Sequence, residues 1–89
     1  MQEELDQIRS AARCVAGVKQ TRRALSAGQV KKLFVARDAD PALTAPLAET
    51  AKAAGVPVEE DAAMAQLGTA CGLAVGAACC AILVSVLAE

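Results

Sequence analysis

Short apolar runs alternate with stretches of helical period along this chain, and a turn residue marks almost every change. Leu5, Ile8 and Ala12 recur at helical spacing, which predicts an amphipathic helix from about Gln2 to Arg13. Cys14 to Ala16 reads as a short strand. Gly17 turns the chain into a second helix, from about Lys19 to Ala27, that Gly28 stops. Leu33-Phe34-Val35-Ala36 has the length and composition of a strand. Asp38-Ala39-Asp40-Pro41 is a turn signal, because carboxylates satisfy free N–H groups and proline fixes φ. Thr44 is a suitable cap for a helix from about Ala45 to Ala54, with Pro46 tolerated in its first turn and Gly55 at its end. Val56 to Glu59 is a further short strand.

The last third admits two readings. Between Asp61 and Glu89 there is no charged residue, and Leu67 to Ala88 carries Gly68-x-x-x-Gly72-x-x-x-Gly76. Length and spacing of small residues both suit a membrane-spanning helix. However, Gln66, Gly68, Thr69, Gly72, Gly76 and Ser85 interrupt the run, and no Lys or Arg flanks it. Splitting it accounts for the pattern better. Asp61 caps a helix from about Ala62 to Cys71, Gly72 to Gly76 forms a loop, and Cys79 to Val86 is a strand buried on both faces. The order αβαβαβαβ implies a single domain over residues 1–89. Its expected fold class is α/β, a three-layer α/β/α sandwich around a four-stranded mixed sheet.

Composition narrows what such a domain does. The chain has 89 residues, one aromatic (Phe34) and no histidine. A single aromatic argues against modules that stack bases on aromatic platforms. The lack of histidine, with no acid–base constellation elsewhere, argues against an enzyme, and Asp38 and Asp40 read as turn residues rather than metal ligands. Cys14, Cys71, Cys79 and Cys80 contain no Cys-x-x-Cys pair. No signal peptide is evident, since an acidic segment (Glu3, Glu4, Asp6) precedes the first hydrophobic run. The cysteines are expected to be buried free thiols in a reducing cytoplasm, a redox or metal role being the lesser alternative. No cofactor is implied, and nothing suggests an obligate dimer, so a monomer is expected.

Charge supplies the functional signal. From Gln7 to Arg37 there are eight basic residues (Arg9, Arg13, Lys19, Arg22, Arg23, Lys31, Lys32, Arg37) and no Asp or Glu, in a chain of net charge −1. One basic face on a near-neutral protein points to a polyanion. In the helix opened by Gly17 and Val18, Lys19, Arg22, Arg23 and Ser26 share one face, with Gln20 beside Arg23. Free N–H groups at that helix start favour a phosphate. Arg23 offers a planar fork to guanine O6 and N7, and Gln20 can pair with a base edge. Regular A-form RNA hides those edges, so the target needs a bulge or kink. Gly72-Leu73-Ala74-Val75-Gly76 offers small side chains and unhindered backbone to an unstacked base. A solvated basic helix and an ordinary helix-to-strand connection are the plainer alternatives.

Taken together, three stretches resemble the kink-turn-binding ribosomal protein superfamily, of archaeal "seven-Ae" and eukaryotic "thirty-e" type, and most resemble its small bacterial members. They are Gly17-Val18-Lys19-Gln20-Thr21-x-x-Ala24-Leu25, Val35-Ala36-Arg37-Asp38-Ala39-Asp40-Pro41, and Leu67-Gly68-x-Ala70-Cys71-Gly72-Leu73-Ala74-Val75-Gly76-Ala77-Ala78. The resemblance implies an α/β/α sandwich and binding to kink-turns, helix–bulge–helix RNA elements with tandem sheared G·A pairs, as in ribosomal or riboswitch RNA. It would place Lys19, Gln20 and Arg23 against the guanines. Leu73, Ala74 and Val75 would lie against the extruded bulge nucleotide, and Lys31 against the backbone. Archaeal and eukaryotic members usually have Asn-Glu at Lys19-Gln20, Lys at Arg23 and a polar residue at Ala74. Lys-Gln resembles the bacterial pattern. A protein-interaction module on the same fold, without base readout, is the alternative.

Overall fold

The computed structural model describes residues 14–84, so the helix expected over Gln2 to Arg13 lies outside the described residues. Four strands and three helices follow in alternation. They are β1 (Cys14–Ala16), α1 (Val18–Ser26), β2 (Val30–Val35), α2 (Pro41–Ala53), β3 (Val58–Glu59), α3 (Met64–Ala70) and β4 (Cys79–Leu83). The sheet order is β1-β4-β2-β3, with β4 antiparallel to both neighbours and β3 parallel to β2. The expected mixed four-stranded α/β sheet is therefore present.

Alternation along the two central strands builds two cores. Leu33, Val35, Cys79, Ala81 and Leu83 face one way, against Ala24 and Leu25 of α1 and Leu47 and Ala51 of α2. Phe34, Ala36, Cys80 and Ile82 face the other, against Leu67 and Ala70 of α3. Side chains of period two on a central strand are all buried when both faces are covered. A bulge interrupts the period at Lys31, because Val30 pairs with Leu83 and Lys32 with Ile82. The extra residue lets Val30 and Leu33, three positions apart, enter the same core, and it leaves Lys31 exposed.

The apolar stretch from Leu67 onward is not one helix. It divides into the end of α3, an irregular connection and β4, and no helix among the described residues is long and apolar enough to cross a membrane. Residues 85 and 86 of the expected last strand lie outside the described residues. Two caps differ from expectation. Helix α2 starts at Pro41, not Ala45: Asp40 Oδ1 accepts from Ala42 N at 2.9 Å and Pro41 sits at the first position. Asp-Pro is the stronger start signal, since it adds a preset φ to the capping carboxylate. Thr44 is then a buried interior residue. Pro46 falls inside the helix but on its exposed side, where water can satisfy the carbonyl it leaves unbonded.

Helix α3 starts at Met64, two residues later than Asp61 implied. Its first N–H groups are satisfied from two directions. Gln66 Oε1 accepts from Ala63 N at 2.9 Å, and Asp38 Oδ1, from the β2–α2 turn, accepts from Met64 N at 2.8 Å. Asp61 instead uses its backbone carbonyl, which accepts from the Arg37 guanidinium.

Candidate nucleic-acid interface

Helix α1 begins at one end of the sheet. Gly17 holds φ at +97°, a backbone conformation that an L side chain disfavours, and turns β1 directly into the helix. Thr21, Ala24 and Leu25 are buried and anchor α1 on the sheet. Their spacing turns Lys19, Gln20, Arg22, Arg23 and Ser26 outward, and all five are exposed. Thr21 is fully buried, and its Oγ1 accepts from the Cys79 thiol at 3.6 Å. Burial pushes the Cys79 thiol up, and the Thr21 contact partly opposes it. None of Lys19, Arg22, Arg23 and Lys31 is ion-paired with another described residue. By contrast, Lys32 lies 4.0 Å from Glu59 and 5.2 Å from the Phe34 ring centroid.

The start of α1 differs from the other two helix starts. Asp40 caps α2, and Asp38 and Gln66 serve α3, whereas no side chain caps α1. Its first N–H groups and its half-positive dipole end therefore face outward beside Lys19 and Arg22.

The connection from α3 to β4 lies next to this start. Gly17 N donates to Cys79 O at 3.0 Å, which joins the beginning of α1 to the end of that connection. Helix α3 ends in a Schellman motif: Leu73 N donates to Gly68 O at 2.8 Å and Gly72 N to Thr69 O at 3.0 Å, with Gly72 at φ +79°. Farther on, Ala77 N donates to Met64 O at 3.0 Å and Ala78 O accepts from Ala36 N at 2.8 Å. The span between these anchors presents Leu73 and Val75, which are 43% and 72% exposed. Ala74 and Gly76 are exposed too. The N–H groups of Ala74, Val75 and Gly76 make no hydrogen bond to another described residue. Apolar side chains and available donors together suit the face and edge of an unstacked base.

The start of α1, with Gly17, Val18, Lys19 and Gln20, thus lies at the same end of the sheet as the connection that carries Leu73, Ala74, Val75 and Gly76, and Arg22 and Arg23 follow along the exposed side of α1, Arg23 in its last turn. Lys31 does not join them. It sits at the opposite end of β2, beside the last residue of β4 and about a helix length from Lys19. Sequence reasoning missed three supporting residues. A Cβ on Gly68 would lie 2.1 Å from Val75 O, so this glycine lets the loop rest on α3. The Gly-x-x-x-Gly spacing was the available signal. Arg37 and Asp38 hold the adjoining turn and α3 together through their bonds to Asp61 O and Met64 N. Nothing local marks those partners, 24 and 26 residues away.

The sequence profile of the ribosomal protein L7Ae/L30e/S12e/Gadd45 family matches residues 1–88. The chain belongs to this family. A protein of Bacillus pumilus named "RNA-binding protein" is 45% identical over 78 residues, which are 88% of this chain and 95% of that one. "RNA-binding protein YbxF" of Geobacillus stearothermophilus is 41% identical over the same shares. Among solved structures, the "15.5kD RNA binding protein" of Giardia lamblia superposes with a TM-score of 0.84. It is 22% identical, and the match covers 97% of this chain and 75% of that one. That likeness fixes the fold, and the bacterial relatives match the expected resemblance to small bacterial members.

Proposed function

We propose that this member of the family binds RNA by recognising kink-turns and stabilising their bent form. RNA binding follows from family membership and from bacterial relatives that carry that name over nearly their whole length. The finer reading rests chiefly on one observation: the uncapped, basic start of α1 and the exposed apolar loop before β4 share one end of the sheet. Sheared G·A pairs expose guanine edges, to which Arg23 offers its fork and Gln20 its amide. The α1 N–H groups, Lys19 and Arg22 receive phosphates. Leu73, Ala74, Val75 and Gly76 take the extruded bulge nucleotide. An RNA helix lying along α1 reaches Lys31, which then serves as a remote phosphate contact. These contacts form together only when the RNA is kinked, so binding shifts the RNA population to that state. No step of this reading calls for a cofactor or for catalysis.

The test is a titration at fixed salt against a standard kink-turn and against the same RNA with its G·A pairs made Watson–Crick. Tight binding to the first and at least about a hundredfold weaker binding to the second is expected, two bidentate base contacts being ample for that ratio. Equal, weak binding to both would reduce the basic helix to a general electrostatic surface.

A further inference from the structure

The connection that presents Leu73, Ala74 and Val75 is clasped from both sides as it enters β4. On one side Gly17 N donates to Cys79 O at 3.0 Å, and on the other Ala36 N donates to Ala78 O at 2.8 Å. Strand order is the reason, because β4 lies between β1 and β2 and runs antiparallel to both. The exits of β1 and β2 therefore stand at the same end of the sheet as the entry to β4. Two strand spacings, about 10 Å, separate those exits. Each exit leads at once to an exposed cation. Lys19 follows closely after Gly17, and Arg37 follows Ala36 directly. The uncharged loop thus enters the sheet between two basic residues, of which only Lys19 belongs to α1.

Arg37 is fixed by its neighbours. Its N donates to Ala62 O at 2.8 Å, and its guanidinium donates to Asp61 O. Asp38 beside it accepts from Met64 N, and Met64 O accepts from Ala77 N at the end of the loop. Hydrogen bonds therefore join the turn after β2, the start of α3 and the loop. A guanidinium has several N–H donors, and the bond to Asp61 O leaves others for a ligand. Among the described residues no carboxylate is ion-paired with Arg37. Its neighbours Asp38 and Asp40 are engaged elsewhere. Asp38 accepts from the first N–H of α3 and Asp40 from Ala42 N of α2, where half-positive helix ends offset their charge. Arg37 is the only basic residue between Lys32 and Lys52, and Lys52 lies 3.4 Å from Glu60.

We propose that Arg37 is a phosphate-binding residue of the RNA site, which holds the backbone on the side of the extruded nucleotide opposite Lys19. Its selectivity for bent RNA rests on the kink-turn reading above, whereas the phosphate contact itself does not. A straight duplex laid along α1 follows that helix and does not cross the loop. A strand that leaves its duplex at a bulge and turns over Leu73, Ala74 and Val75 passes from the Lys19 side to the Arg37 side. The guanidinium fork suits two oxygens of one phosphate, and its bond to Asp61 O sets its orientation before RNA arrives. Lys31 and Arg37 are then phosphate contacts of different kinds. Lys31 serves any duplex that runs along α1, and Arg37 serves only a bent RNA.

The test measures affinity at several salt concentrations for wild type, Arg37→Gln and Arg37→Lys, against the kink-turn and its Watson–Crick variant. Gln keeps an N–H donor for Asp61 O and loses the charge, whereas Lys keeps the charge. The two substitutions therefore separate phosphate binding from support of the turn. On the kink-turn, Arg37→Gln should flatten the slope of log K against log salt by about 0.7–0.9, one phosphate's share. Binding should weaken about five- to eightfold at ~0.1 M salt, which is that slope carried down from ~1 M. Arg37→Lys should keep the wild-type slope. On the Watson–Crick variant neither substitution should change the slope. An unchanged slope for Arg37→Gln on the kink-turn, or the same loss with Lys as with Gln, overturns the phosphate contact. Equal loss of slope on both RNAs overturns the selectivity for bent RNA. If wild type binds the two RNAs alike, the kink-turn reading fails, and the slope of Arg37→Gln still decides whether Arg37 holds a phosphate.

Discussion

Helix α1 and the α3–β4 loop sit side by side at one end of the sheet, yet they present themselves by opposite means. The helix is regular, its inner face locked by Thr21, Ala24 and Leu25, and its outer face carries charge and amides. The loop has no repeating structure and no charge. It is held by backbone hydrogen bonds at its two feet and by close packing on a glycine of the helix beneath. A helix tolerates long, solvated side chains because its own bonds define its shape. A loop that must offer backbone needs small residues and borrowed anchors instead. The same end of the molecule can therefore supply a long-range, salt-sensitive attraction and a short-range, shape-dependent clasp.

Substitutions that break one region and spare the other sharpen this contrast. The largest effect is expected from Gly68→Val, which puts side-chain atoms where Val75 O now stands. Displacing backbone costs more than moving a side chain. A loss of about 1–3 kcal/mol or more in chemical denaturation is expected, together with severe loss of kink-turn binding. Unchanged stability would mean that the loop does not rest on α3 as described. Next comes Arg23→Ala, expected to weaken kink-turn binding by about 1–3 kcal/mol while leaving the loop intact. An equal loss against plain duplex would count against base readout. Combined with Val75→Ala, its effect should depart from additivity only if helix and loop act on one shared RNA conformation, which a double-mutant cycle measures.

Smaller effects test the supports. Asp38→Ala removes the acceptor for Met64 N and should cost about 1 kcal/mol of stability, as cap losses do. Its effect on RNA should follow the loop rather than the helix, since α3 carries the loop. Lys31→Ala should change least. It lowers affinity for all RNAs alike and reduces the slope of log K against log salt by about one phosphate's share, read from titrations at several salt concentrations. A selective loss for the kink-turn would place Lys31 in the base-reading group instead of at the far end of β2.

Much of this arrangement was legible along the chain. The break at Gly17, the outward row of Lys19, Arg22 and Arg23, and the turn at Asp38–Pro41 all follow from local period and turn chemistry. The start of α2 was misplaced because Thr44 and Asp40 are both good caps, and only packing sends Thr44 inside. Asp61 was expected to cap α3, and Asp38 does so from another loop. Nothing along the chain marks the bulge that leaves Lys31 exposed near the start of β2.

The division between the two levels follows from distance. Periodicity, charge and turn residues act within a few positions, so the amino-acid sequence alone determined the alternation of strands and helices. It likewise determined the doubly buried central strand and the basic face of α1. Strand order and loop anchoring depend on residues far apart in the chain. Only the folded sheet, with β4 inserted between β1 and β2, brings Gly17 to Cys79 and sets the apolar loop beside the basic helix. The bond from Met64 N to Asp38 is likewise a pairing that no local pattern encodes, because its free energy exists only once the chain has closed on itself.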